Sequence, residues 1–350
     1  MRSDAENAFG APRLDQIGEL VMENSSATML PIGELLVTTA TAAIFAVRDD
    51  ATRVVKYFHN CFDLELVHPL LRGYVFLKSL EGLHVTPRVH YLSPPVRFPP
   101  WITSKTSFRI NSAARAECAA NPGVQIRFMV MDRVWTSLDN RVLSRYWVGR
   151  RSLVNESIQM VASLIEAIER IHDQGVVHGD IHWGNVVLVK RGEQQSIALI
   201  DFGNAMFVDE MVALPEMARA PRSLNHCLLS HWNIEGFRFS YRDDVYKALL
   251  LLAFLINGSP FEHFCLSLEA NVEDMLWFKR EAFLSAMPTG HEDRITGLSV
   301  HRDIKQKLRV RLNNALQMAR NVEALDDRPN YSFIVTELQG AARLVSPVHF

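Results

Sequence analysis

Cysteine is scarce and scattered in this chain. Cys61, Cys118, Cys227 and Cys265 stand far apart with no CxxC pair, so the sequence offers neither a zinc-ligand spacing nor a disulfide framework. An excess of one charge is missing as well. A formal net charge of −2 over 350 residues gives no general electrostatic pull toward nucleic acid or an anionic membrane. Long apolar runs are absent too. The two richest, LLVTTATAAIFAV at 35–47 and ALLLLAFLI at 248–256, fall short of the roughly 20 residues that a spanning helix needs. The N-terminus, MRSDAENAFGAPRLDQ, carries acidic residues where a secretory signal would place its apolar stretch. Internal repeats and low-complexity segments are not found. The expectation is a cytoplasmic protein, with the nucleus as the alternative, that binds neither nucleic acid nor membrane and acts as a monomer.

What is present suits a folded protein. With 48% hydrophobic and 22% charged residues, the chain can bury a sizeable core and divide into two lobes. Residues 1–27 read as a polar tail. The run at 35–47, the turn RDDAT and RVVKYF read as two strands joined as a hairpin. Residues 63–82 show helical spacing, with Pro69 as the place a break would fall and Gly82 as a stop. VTPRVHYL predicts a strand, and the proline-rich stretch after it, 92–123, reads as an inserted loop. VQIRFMVMD at 124–132 is strand-like, 152–175 is an amphipathic helix ending at Gly175, and 198–203 is a short strand after the turn KRGEQQ. Residues 242–258 are apolar almost all round, as expected of a buried helix.

The stretch VVHGDIHWGNVVL, 176–188, interrupts two β-branched runs with His178, Asp180, His182 and Asn185. Asp201 follows at the end of the next strand, ahead of Phe202 and Gly203. Singly, each of these suits a turn, because Asp, Asn and Gly favour loops. Jointly they match what phosphoryl transfer needs: a carboxylate near the acceptor hydroxyl, then an amide oxygen and a second carboxylate to hold Mg²⁺ on the phosphates of ATP.

With these residues the chain resembles the eukaryotic protein kinase family. VVHGDIHWGNVVL is similar to its catalytic loop and LIDFGNA to its magnesium loop. RFMVMDRVWTSLDNRV, SYRDDVYKALLLLAFLING and DDRPNYSFIVTEL are similar to segments of the casein kinase I group, and Gly179 in HGD resembles the vaccinia-related kinases of that group. The resemblance implies an α+β, bilobal kinase-like fold, with an N-lobe at 28–134, an antiparallel sheet plus one helix, and a mostly helical C-lobe at 135–345. It implies ATP and Mg²⁺ as cofactors and protein serine or threonine as the acceptor. Asp180 would be the catalytic base, Asn185 and Asp201 the Mg²⁺ ligands, and Lys56 the lysine on the α- and β-phosphates. Met131 would be the gatekeeper residue, Asp132 to Val134 the adenine-binding hinge, and Asp244 a brace for the loop.

Three departures bear on activity. The glycine-rich loop should occupy 37–42, where VTTATA has no glycine, which weakens or reshapes the backbone cradle for phosphates. Gly73 or Tyr74 stands where the family pairs a glutamate with the lysine, and Glu65, a couple of turns earlier, is expected at the surface and would reach Lys56 only with the helix displaced. His182 replaces a lysine that contacts the transferred phosphate, and a histidine donates there only in a suitable tautomer or when protonated. HGDIHWGN is also similar to the loop of small-molecule phosphotransferases, which makes these a rival class beside a pseudokinase scaffold. Without an arginine at Gly179, a phosphate on the activation segment lacks its usual partner, and 204–230 offers only Arg219 and Arg222. Trp183 is expected to pack against the lobe. HRD at 301–303 opens an amphipathic basic helix, since Leu308 stands where asparagine would be needed.

Overall fold

A computed structural model describes residues 32–38, 42–58, 64–93, 96–97, 125–126, 128–134, 136–137, 151–182, 184–191, 194–208, 240–257, 302–320 and 327–346. The tail 1–27, Trp183, Arg219, Arg222 and most of the 92–123 insertion lie outside the described residues. The described part is α+β. The chain divides into two units, one of residues 1–134 with 201–203, the other of 135–200 with 204–350. Among the described residues, no helix is long and apolar enough to cross a membrane.

In the first unit, β1 (Ile32–Thr38), β2 (Ala42–Val47) and β3 (Asp50–Phe58) form consecutive antiparallel pairs, and β3 passes to β7 (Phe128–Asp132) and then β4 (Val89–Leu92). Burial alternates residue by residue from Ala43 to Val47, the mark of a strand with one face on the core. The run 35–47, expected as one strand, is two. The stretch TTATA has no glycine or proline to announce the reversal, and its small β-branched residues suit a strand on either side. β5 (Val96–Arg97), inside the stretch expected as an inserted loop, pairs with β6 (Gln125–Ile126) just after it, so the start of that stretch is a short ladder.

The helix α1 (Leu64–Ser79) runs through Pro69 without a break. Pro69 lies in its second turn, where the missing N–H costs one backbone bond and later turns are untouched. The helix buries Tyr74, Phe76, Leu77 and Leu80. It closes where the Leu80 N–H donates to the Phe76 carbonyl at 3.0 Å, and Gly82 then adopts φ +96°. Gly73 brings α1 close to the Phe202–Gly203 backbone: a methyl group there would lie 3.6 Å from the Gly203 nitrogen.

The second unit is built on α2 (Arg151–Asp173), which packs against α3 (Tyr241–Asn257) and α5 (Tyr331–Val345). Ile158, Val161, Leu164, Ile165, Ile168 and Ile171 are fully buried on it, each contributing about 1.5–3 kcal/mol relative to exposure. Gly175, φ +70°, turns the chain out of the helix. α4 (Arg302–Arg320) packs on α5 and α3, so the HRD triplet does begin a helix. The strands are short: β8 (Thr136–Ser137), β9 (Val176–Val177), β10 (Val186–Arg191), β11 (Gln194–Leu199) and β12 (Met206–Phe207). β10 and β11 form a hairpin with β8 on its edge, and β12 pairs with β9. The turn expected over KRGEQQ is tighter, because four of those six residues belong to the hairpin ladder.

Candidate functional site

The β10–β11 register is what fixes Asn185. Val186 pairs with Leu199, and one step earlier the Ile200 N–H donates to the Asn185 carbonyl at 3.0 Å. The Asn185 amide then points back along its own loop. Its Nδ2 donates to the Asp180 carbonyl at 2.9 Å and to Asp180 Oδ2 at 3.3 Å. Asn204 Nδ2 donates to the same oxygen at 3.3 Å. With the nitrogen committed to Asp180, the remaining acceptor of Asn185 is Oδ1, a hard oxygen ligand of the kind Mg²⁺ takes.

The histidines of the loop have fixed tautomers. The Asp180 N–H donates to His178 Nδ1 at 3.2 Å, while His178 Nε2–H donates to the Ile200 carbonyl at 3.0 Å. The Gly184 N–H donates to His182 Nδ1 at 3.1 Å, so the neutral His182 ring carries its proton on Nε2, which lies 3.8 Å from Asp180 Oδ2. Asp180, His182 and Asn185 are thus brought together by one loop.

Beneath the loop lies Asp244, fully buried on α3. Its Oδ2 accepts the His178 N–H at 2.7 Å and its Oδ1 the Gly179 N–H at 2.9 Å. Oδ2 also accepts from His172 Nε2 at 3.1 Å, and the Tyr331 hydroxyl donates to His172 Nδ1. Burial holds the His172 pKa below its ordinary value, against the pull of Asp244, so the ring stays neutral. Burial pushes the Asp244 carboxyl up, but the hydrogen bond from His172, with the Lys247 ammonium nearby, outweighs it and holds the group below the usual range. Tyr331 is raised, chiefly by burial, and keeps its proton. Sequence reasoning anticipated Asp244 under the loop but missed His172, Tyr331, Asn204 and Lys247. The signal for His172 was a polar residue on the apolar face of α2.

In the first unit, Lys56 on β3 and Asp201 meet, with Nζ 3.5 Å from Oδ1. Lys56 is mostly buried, whereas half of the Asp201 side chain is exposed. Asp201 has φ +64°, a left-handed backbone that non-glycine residues adopt at some cost and that clusters at functional sites. Gly73, not a carboxylate, faces the turn after Asp201, as its approach to Gly203 shows. The Glu65 side chain lies outside the described residues. Met131 is buried in β7, paired with Val54 and Val89. Asp132 closes that strand: its Oδ1 lies 2.7 Å from His90 Nε2 and its Oδ2 accepts the Arg88 N–H at 3.2 Å. Val134, half-buried, follows where the chain leaves the sheet. Among the described residues no three His, Cys, Asp or Glu side chains converge on a metal site.

The family model described as ABC1 atypical kinase-like domain matches residues 129–217. Serine/threonine-protein kinase VRK1 of Caenorhabditis briggsae is 28% identical over 166 residues, covering 47% of this chain and 28% of that protein. The Caenorhabditis elegans protein of the same name is 24% identical over 166 residues, 47% of this chain and 26% of that one. Calcium-dependent protein kinase 27 of Arabidopsis thaliana is 25% identical over 125 residues, 35% and 24% of the two chains. The aligned segments span little more than a quarter of these relatives at most. The similarities support the protein kinase-like superfamily and, with it, the general use of ATP and a divalent metal.

Proposed function

We propose that this chain is a phosphotransferase of the protein kinase type, of the casein kinase I group, that transfers the γ-phosphate of Mg-ATP to serine or threonine of a protein substrate. The observation that carries the reading is the loop 178–185, in which Asn185 is turned so that its nitrogen holds Asp180 and its oxygen is left for a cation. Asn185 and Asp201 would hold Mg²⁺, which when bound neutralises charge on the phosphates. Lys56 binds the α- and β-phosphates as a positive charge on a rigid strand. Met131 and the backbone of Asp132 to Val134 bind adenine. Asp180 Oδ2 orients the acceptor hydroxyl and receives its proton, and His182 offers an Nε2–H to the transferred group. Positioning and electrostatics supply most of the catalysis in such a reaction.

A second reading, a pseudokinase that serves as a binding module, is favoured by the glycine-free segment VTTATA, where β1 gives way to β2. A third, a small-molecule phosphotransferase, rests on HGDIHWGN alone. The test is the melting temperature of the full chain with ATP, Mg²⁺ and both, beside Asp201→Asn, followed by transfer of labelled γ-phosphate to a mixed serine/threonine peptide library. A shift that needs both ligands and vanishes in Asp201→Asn is expected, because binding to the folded state stabilises it by mass action. Transfer should fall by about 100-fold or more in Asp180→Ala. No shift at millimolar ATP would favour the scaffold. A shift without peptide phosphorylation would favour a small acceptor.

A further inference from the structure

The helix α3 contains a cation that the roles above leave unused. Lys247 is only 4% exposed, in a helix whose neighbouring positions Val245, Ala248, Leu249, Leu251 and Leu252 are all buried and apolar. Lysine is almost never buried to this degree unless it is paired. Its Nζ lies 2.9 Å from Asp243 Oδ2, one turn earlier, and donates to the Gly179 carbonyl at 3.0 Å. A buried ion pair is weak as a device for stability alone, since well-packed apolar residues in its place are often neutral or better. What Lys247 adds is a charge-assisted hydrogen bond to the catalytic loop, of a class about twice as strong as a neutral one.

We propose that Lys247 is a positioning residue for Asp180: its ammonium holds the carbonyl of the peptide that joins Gly179 to Asp180, and so sets the direction in which the Asp180 side chain leaves the loop. The proposal rests on the phosphotransferase reading. Gly179 is held from α3 on both of its polar groups, its N–H by the Asp244 carboxylate at 2.9 Å and its carbonyl by Lys247 at 3.0 Å. An anion takes the donor and a cation takes the acceptor. Gly179 has φ +75°, a conformation that glycine adopts without strain and can also leave without strain. The two tethers therefore remove a freedom that the residue type would otherwise give to the position just before Asp180. Lys247 reaches no reacting atom, and it acts through the Gly179 backbone.

The test uses the full chain in two double variants. Asp243→Asn with Lys247→Met removes cation and counter-ion together, so the net buried charge is unchanged. Asp243→Asn with Lys247→Gln restores a neutral N–H donor beneath Gly179. Three quantities are read: amide hydrogen exchange over 176–188 without nucleotide, and kcat and KM for Mg-ATP in phosphate transfer. The expected result is faster exchange confined to the loop in the Met form, with kcat lower by about 100-fold and KM unchanged, and recovery of both in the Gln form. Unchanged loop exchange, or a loss expressed in KM with kcat kept, overturns the proposal. Should the Met form lose its near-UV circular dichroism, the Gln form carries the test: near-wild-type kcat supports the tether, and an equally low kcat in a natively folded Gln form overturns it. A wild-type chain that transfers no phosphate overturns the catalytic role together with the reading beneath it. That case is told apart because the wild type, and not only the variant, is silent.

Discussion

A methyl group on Gly184 would sit 2.9 Å from His182 Cε1, closer than side-chain carbons come to other atoms in folded proteins, and 3.1 Å from its Nδ1. The residue is needed here for space, because its N–H closes a turn onto the His182 ring and nothing bulkier than hydrogen fits beneath that ring. The atoms in the way belong to a side chain and not to backbone, so Gly184→Ala should cost only about 1 kcal/mol of stability in urea unfolding. Phosphate transfer should fall more, by about tenfold or beyond, as His182 loses the orientation that aims Nε2–H past Asp180. Equal activity in Gly184→Ala would remove His182 from the proposed machinery. At this scale the sequence was most readable where contacts are local. Asp180 and Asn185 meet across five positions, so their spacing alone carried the motif. Lys247 was missed: it stands one turn after Asp243 in an apolar helix, but its partner is 68 positions away and no spacing rule reaches that far. His172 and Tyr331, 159 positions apart, left even less trace.

Helices announced themselves better than strands. The period of 152–175 matched α2 to within two residues at its C-terminal end, because a long amphipathic pattern closed by a glycine has few other interpretations. The run at 35–47 hid a reversal because the signals that mark one, glycine and proline, are missing there. The contact between α4 and α5 offers an expectation of its own. Gly340 lies under Arg311, whose Nη1 would be 2.5 Å from an added methyl group and which pairs with Glu337 at 2.9 Å. An alanine would push the guanidinium off Glu337, a half-exposed pair contributing up to about 1 kcal/mol. It would also relieve the helix of a glycine, which is worth about the same. The two effects nearly cancel, so Gly340→Ala should leave the urea midpoint almost unchanged. In an Arg311→Ala background only the helical gain survives, and Gly340→Ala should then stabilise by about 0.5–1 kcal/mol. A clear destabilisation in both backgrounds would mean that backbone, rather than the arginine, fills the space over Gly340.

For the whole molecule, the buried pair of His172 and Asp244 sets an acid limit. Both groups have folded-state pKa values below their ordinary ones, so the unfolded chain takes up these protons first, near pH 6.5 for histidine and near pH 4 for aspartate. Unfolding therefore binds protons, and stability is fully present above about pH 6.5 and lost as the pH falls, first through His172 and lower down through Asp244. The expected observation is a melting temperature that drops between pH 7.5 and 5.5. The slope should be shallower in His172→Gln by up to one proton, about 1.4 kcal/mol per pH unit. An identical slope in the variant would mean that His172 is already charged in the folded chain. The same histidine has a consequence in time. Tyr331, whose hydroxyl satisfies His172 Nδ1, is translated 87 residues after Asp244 (331 − 244), on the order of 4–17 s at ordinary rates of synthesis. For that interval a nascent chain carries the 176–188 loop and its Asp244 anchor with the brace still one hydroxyl short, and the loop acquires that support only once α5 has been made.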